Sequence, residues 1–297
     1  MNEDAPAAVS VLCLGATGAV GRFLVPRLVA AGHAVIAVSR SAPPPDSLGV
    51  HWQCGDLDRD IAIDAAHGIV SAGPLDHFAA WLERVDLAGV RRVVALSSMS
   101  AASKAESVDA AERELAARLA ASEDRLIRRC DAAGIGWTLL RPTLIYGAAR
   151  DRSLTRIARL AMRTRFFPLV PFARGLRQPV HADDLAMACV AALMTPVAAG
   201  RRFEVGGGER LPYGTMLSRV RHSLGFRTWP VPIPISVMHL ATRVLRRGRG
   251  MVHRFGVDLI ADNGPAEAVL GYRPRPFNPS PACWFDGVAE SADSTPV

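Results

Sequence analysis

The stretch from Val9 to Gly21, VSVLCLGATGAVG, constrains the fold of this chain more than any other. A short apolar run predicts a strand; Gly15, Thr17, Gly18 and Gly21 follow; FLVPRLVAAG then has helical periodicity. Glycine at 15 suits a tight turn, at 18 a close backbone approach to a phosphate, and at 21 close helix–strand packing. The helix would aim its first N–H groups and the positive end of its dipole at an anion. This order predicts a dinucleotide site built from Gly15, Ala16, Thr17, Gly18, Ala19, Val20 and Gly21, with a purely packing glycine turn as the alternative.

The rest of the N-terminal half repeats the alternation. Strands are expected at 34–38 (AVIAV), 50–53, within HGIVSAG, at 92–96 (RVVAL) and at 137–140 (WTLL). Helices are expected at 20–31, 75–88 and 109–133. Fully apolar strands alternating with helices predict an α/β fold, a doubly wound parallel (Rossmann) sheet with ligands outside its carboxyl strand ends. Gly15, Arg40, Asp56, Leu57, Ala72, Gly73, Ser97, Ser98 and Pro142 would gather at that edge. Arg40 stands where an NAD-preferring site usually has an acid, and its guanidinium suits a 2′-phosphate. NADP is therefore expected over NAD; a surface arginine that ends a strand is the bland alternative. Asp56 could accept the adenine amino group with Leu57 on the ring, or simply cap a turn.

After Tyr146 the composition changes. The expected division is a dinucleotide-binding domain at 1–147 and a smaller, mixed substrate or lid region at 148–297. Within the latter, a helix near 181–194 and a strand near 202–206 are expected to pack back on the sheet. Residues 151–178 are basic and rich in Phe and Pro, and read as a lid or substrate wall and not as more sheet. Residues 235–247 read as a basic amphipathic helix, better suited to covering an apolar substrate than to touching a membrane surface. The small, polar tail after 285 is expected to be disordered.

Composition narrows the function classes. Five scattered cysteines without a C-x-x-C pair predict reduced thiols. No basic leader and no run of roughly 18 apolar residues is seen, so a cytoplasmic protein is expected. The net charge is +7 and Lys104 is the sole lysine; the arginines lack the aromatic interleaving that reads nucleic acid. No cluster has metal-ligand spacing. A small-molecule substrate is the expected partner, and the oligomeric state stays open.

GATGAVG at 15–21, GDL at 55–57, LSS at 96–98, LRPTLIYG at 140–147, HADDLA at 181–186 and LGYRPRPF at 270–277 together resemble an extended or atypical short-chain dehydrogenase/reductase of the epimerase/dehydratase-like kind. The resemblance spans roughly 9–278. From Arg141 to Gly208 the chain looks most like the atypical group that includes a respiratory complex I accessory subunit, some of whose members are not known as catalysts.

Redox members of that superfamily pair a serine at the end of strand five with Tyr-x-x-x-Lys on the next helix. A free tyrosine, with a pKa of about 10, needs a neighbouring cation to ionise readily. Here the motif cannot exist: Ser100 lies four residues before Lys104, and Tyr146, Tyr213 and Tyr272 are followed four later by Arg150, Leu217 and Pro276. The resemblance places Leu115 and Leu119 where the pair belongs, with Glu123 a turn further on. Ser98, Tyr146 and Lys104 are the candidate substitutes. Their bland roles are a capping hydroxyl, a packed ring and a solvated loop lysine. His181 and the acids at 183–184 are expected to serve the start of a helix. An oxidoreductase on a small, fairly apolar carbonyl or alcohol is the leading reading. A cofactor-retaining epimerase, isomerase or dehydratase, and a non-catalytic NADP-binding assembly or sensor protein, are the alternatives.

Overall fold

The computed structural model describes residues 10–286 apart from 42–44, 59–60, 62, 64–65, 152, 171–172, 235 and 237–254. The chain divides into two compact units. One comprises Met1–Pro142, Asp183–Val205 and Ala261–Arg273; the other comprises Thr143–Ala182, Gly206–Ile260 and Pro274–Val297. The helix expected at 235–247 falls, Ser236 apart, outside the described residues, as does the tail from 287.

The first unit is a seven-stranded parallel sheet. Its strands are β1 (Ser10–Leu14), β2 (Ala34–Ser39), β3 (Val50–Cys54), β4 (Gly68–Ser71), β5 (Arg92–Leu96), β6 (Gly136–Pro142) and β11 (Arg201–Val205). Their order is β11-β6-β5-β4-β1-β2-β3, which reverses direction at β1 and β4. Helices α2 (Leu75–Leu82) and α4 (Ala110–Ala132) bury Phe78, Trp81, Leu82, Leu126 and Cys130 against Leu12, Leu14, Ile69, Val93 and Leu139 of one face. On the other face lie α1 (Gly21–Ala30) and α6 (Ala182–Met194), joined by Arg27, which donates to both carboxylate oxygens of Asp183 at 2.5 and 2.7 Å. Asp183 lies in the first turn of its helix, as expected, and makes this helix–helix ion pair as well. A helix α8 (Gly264–Leu270) completes the unit.

The helix expected to 88 stops at Leu82: the Val85 N–H still reaches the Trp81 carbonyl at 3.2 Å, and Asp86 then accepts the Ala88 N–H at 3.0 Å in a turn. Lys104 follows directly on a one-turn helix, α3 (Ser100–Ser103).

The second unit holds β7 (Ile145–Tyr146), α5 (Leu154–Thr164), β8 (Phe166–Leu169), β9 (Leu176–Arg177), β10 (Val180–His181), β12 (Leu211–Pro212), α7 (Tyr213–His222) and β13 (Trp229–Pro232). Its strands form three two-stranded ribbons: β10 with β7, β12 with β9, β13 with β8. The stretch 151–178 thus holds a helix and ribbon strands that stand outside the seven-stranded sheet, as expected of it. Leu154, Ala158 and Ala161 recur at helical spacing and are buried, while the Asp151 carboxylate accepts the Ser153 and Thr155 N–H groups at the helix start.

Candidate functional site

At the carboxyl edge of the first unit's sheet, β1 runs into the glycine loop beside β4. Gly15 has a φ of +75°, and a Cβ there would lie 2.9 Å from the Ala72 carbonyl carbon and the Gly73 nitrogen. At Gly21 a Cβ would lie 2.1 Å from the Gly15 oxygen, so only glycine lets α1 start this close to the turn. Gly18 donates its N–H to the Gly15 carbonyl at 2.9 Å, and Ala72 donates to Leu14 at 2.9 Å, which locks loop and strand end together. No side-chain hydrogen bond caps the N-terminus of α1; its Arg22 and Phe23 N–H groups donate to the Gly18 and Val20 carbonyls at 3.2 and 3.0 Å, and the positive end of the helix dipole faces the glycine loop. Above Gly73 the nearest atom to an added Cβ is Leu57 Cδ1 at 4.0 Å, so the floor of the cradle is backbone with room over it. This geometry fits a dinucleotide pyrophosphate. Ala16 and Val20 are buried beneath the loop and shape it, while Thr17 is exposed.

The neighbouring strand ends supply the rest. Arg40 follows β2 directly and is exposed, and no carboxylate among the described residues pairs with it. Asp56, after β3, accepts the Asp58 N–H at 3.3 Å, and Leu57 packs against the core. Ser97 and Ser98 follow β5 and are laced to β6: Ser97 donates its N–H to Leu140 at 2.8 Å, and Met99 donates to Pro142 at 3.0 Å. Gly15 to Gly21, Arg40, Asp56, Leu57, Ala72, Gly73, Ser97, Ser98 and Pro142 thus share one edge of one sheet.

Glu123 was mentioned in the sequence only as a landmark, yet it organises this end of the sheet. Its carboxylate is 1% exposed and accepts the Ser97 hydroxyl at 2.5 Å and Arg141 Nε at 2.9 Å. Arg141 Nη2 donates to its second oxygen, and Arg202 Nε lies 3.4 Å from the same atom. The Glu123 carboxylate raises the Arg141 guanidinium above its usual range. The Glu123 contact with the end of β5 also fixes which face of α4 looks at that edge. Leu119 and Leu115, one and two turns back, share that face, and Leu119 packs on the core. Leu119 thus has a packing role, the plain alternative to the place where the resemblance sets an acid and its cation.

The Ser98 hydroxyl accepts the Ser100 N–H at 3.1 Å, so it caps the turn into α3 while keeping its own proton. Lys104 is half-buried at the end of α3. Tyr146 lies in the second unit and is 1% exposed, its ring 5.1 Å from that of His181 and 4.8 Å from that of Phe277. That is a core position, in line with the packed ring weighed for Tyr146 against a role as proton donor. His181 belongs to the short strand β10 and packs against Tyr146. Tyr272 is buried in the first unit, and burial pushes its phenol up, away from acid chemistry. No group of three or more His, Cys, Asp or Glu among the described residues could hold a metal. No helix among them is long and apolar enough to cross a membrane.

The sheet order, the glycine cradle and the uncapped helix define a Rossmann-type nucleotide-binding protein. The chain belongs to the NAD(P)H-binding family, whose pattern matches residues 15–196. Among curated proteins it is similar, end to end, to a 3-diazoavenalumate denitrifying reductase of a Streptomyces species, 28% identical over 94% of this chain and 98% of that protein. A Vibrio cholerae UDP-glucose 4-epimerase is 23% identical over 63% of this chain, which spans 59% of the epimerase's length. Subunit 9 of the NADH dehydrogenase alpha subcomplex from Arabidopsis thaliana is 28% identical over 77% of this chain and 62% of its own. Among solved structures, MoeE5 in complex with UDP-glucose and NAD superposes with a TM-score of 0.69 at 20% identity, covering 93% of this chain and 97% of that one. That likeness shows the shared epimerase/dehydratase-like fold.

Proposed function

We propose that the chain is an NADP(H)-dependent reductase of a small, largely apolar substrate that needs no protein acid on α4. The observation that carries this reading is the end-to-end match to a reductase, over a sheet edge that keeps the nucleotide cradle intact. A second relative named as a reductase, the 2′-dehydrokanamycin reductase of Streptomyces kanamyceticus, is 29% identical over 75% of this chain.

A nicotinamide dinucleotide bound in the cradle would supply hydride. The chain's own residues then divide the remaining work. The α1 N-terminus and the Gly15–Gly21 backbone hold the pyrophosphate, and Arg40 reads the 2′-phosphate. Asp56 and Leu57 flank the adenine. Ala72, Gly73 and Pro142 form the backbone wall of the cofactor slot. Glu123 takes the Ser97 hydroxyl and holds the β5 end rigid. Ser98 keeps a proton free to donate to a substrate oxygen or nitrogen, and Lys104 follows six residues on, just past α3. Tyr146 is assigned to packing.

A serine hydroxyl is too weak an acid to complete a carbonyl reduction alone, so the proton for such a substrate comes from water. A substrate that is already cationic is better matched. A diazonium carbon that gains hydride and loses dinitrogen consumes no proton, which suits a helix face of two leucines. Turnover of NADPH by the purified chain, measured with an arenediazonium salt and with a panel of apolar aldehydes and ketones, tests the reading. Cofactor consumption with either class supports a reductase, and the faster class names the electrophile. Tight NADPH binding without consumption in any arm contradicts it and favours the assembly or sensor role.

A further inference from the structure

The second unit carries a charge that the whole-chain figure hides. Its segments hold 18 arginines, no lysine and 6 acids, a net +12, which against the chain's +7 leaves the first unit at −5. No Asp or Glu occurs in the sequence between Asp151 and Asp183, nor between Glu209 and Asp258. Such asymmetry marks a partner of opposite charge.

The same unit also exposes bulky apolar side chains between those arginines. In the parallel β8–β13 ribbon, Phe166 stands opposite Trp229. Phe167, the next residue, is buried in the unit's core, so alternation turns Phe166, Trp229 and Val231 outward together. Trp229 is 72% exposed and Phe166 56%. The helix leading into this ribbon exposes Arg156, Leu160, Met162 and Arg163. Beside Trp229 opens a cleft of about 650 Å³ lined by Arg221, His222, Phe226, Arg227, Thr228 and Pro230, with no acid among its described lining residues. Arg221 is held in place by Thr228, its Nε 3.1 Å from Oγ1 and its Nη2 3.0 Å from the carbonyl, and Arg165 lies 4.9 Å over the Phe226 ring.

We propose that the β8–β13 face and its arginine cleft dock this protein on an anionic phospholipid surface. Trp229, Phe166 and Val231 would enter the headgroup–acyl boundary, and Arg163, Arg221 and Arg227 would meet phosphate oxygens. Arginine alone would suit any polyanion. The outward row of aromatic and aliphatic side chains selects a bilayer, because burial there removes them from water, whereas a nucleic-acid backbone offers them nothing.

Flotation of the full chain with vesicles of phosphatidylcholine alone, and of equimolar phosphatidylcholine and phosphatidylglycerol, tests this. Binding is expected to the anionic vesicles only. Trp229→Ser/Phe166→Ser should weaken it about tenfold, and Arg163→Gln/Arg227→Gln about twentyfold at low salt. Both variants are chosen at exposed positions, and an unchanged melting temperature shows that they fold. Absence of binding to anionic vesicles at low salt overturns the proposal. So does binding that the Trp229/Phe166 variant leaves unchanged, or preferential capture by duplex DNA or an acidic protein, since each would make the face a general polyanion site.

Discussion

Cys54 is the one exposed thiol among five cysteines, and it directly precedes the Gly55–Asp56 turn of the nucleotide edge. Burial pushes the Cys13 and Cys130 thiols up to about 12 and raises Cys189 as well, which removes the thiolate needed for reaction. A maleimide should therefore label the native chain once, at Cys54, and the denatured chain five times, as counted by intact mass. Several labels on the native protein would contradict the burial described here. The five thiols look alike in sequence; which one ends an edge strand is a property of sheet order. Ser97 and Ser98 make the same point. The neighbouring hydroxyls have different partners, Glu123 and the Ser100 N–H, because α4 docks against one and not the other.

At the scale of elements, the strand–turn–helix start was legible because its constraints are local. Gly15 and Gly21 are demanded by backbone atoms a few residues away or across one strand end. The helix at Leu154–Thr164 is written in the spacing of Leu154, Ala158 and Ala161, but arginines at nearly every turn and the prolines that follow hide it within a stretch that reads only as a basic lid or substrate wall. The end of α2 was not legible, since the apolar pattern runs on to 88 while the Asp86 carboxylate turns the backbone by accepting the Ala88 N–H. Glu123 shows most clearly what local pattern misses: its partners Ser97, Arg141 and Arg202 come from three strand ends. Removing this carboxylate leaves Arg141 facing a mostly buried gap. Glu123→Ala should cost about 2–3 kcal/mol in urea unfolding, discounted because Arg141 and Arg202 keep some contact with water, and Glu123→Gln about half as much. A loss within roughly 0.5 kcal/mol for both would mean that α4 docks by its apolar stripe alone.

For the molecule as a whole, the seventh strand and two of the helices on the sheet come from segments separated in sequence by parts of the second unit. The return of the helix near 181–194 and the strand near 202–206 to the sheet was expected from the order of motifs, whereas the helix Gly264–Leu270 had no such signal. The two units also differ in charge, the nucleotide unit acidic and the other strongly basic. An acidic unit must hold a polyanionic cofactor through local features alone. These are the backbone cradle, the α1 N-terminus and Arg40, which pairs with no carboxylate among the described residues. Everything else in the account, from reductase chemistry to the choice of electrophile, depends on that cradle taking NADP(H).

Isothermal titration of NADPH and NADH into the parent chain and into Arg40→Asp therefore bears on it most directly. The parent should bind NADPH about ten- to a hundredfold more tightly than NADH, from one charge-assisted guanidinium–phosphate contact. Arg40→Asp should abolish that preference or reverse it while NADH binding persists. Equal affinities in the parent, or equal loss of both nucleotides in the variant, would contradict the assignment.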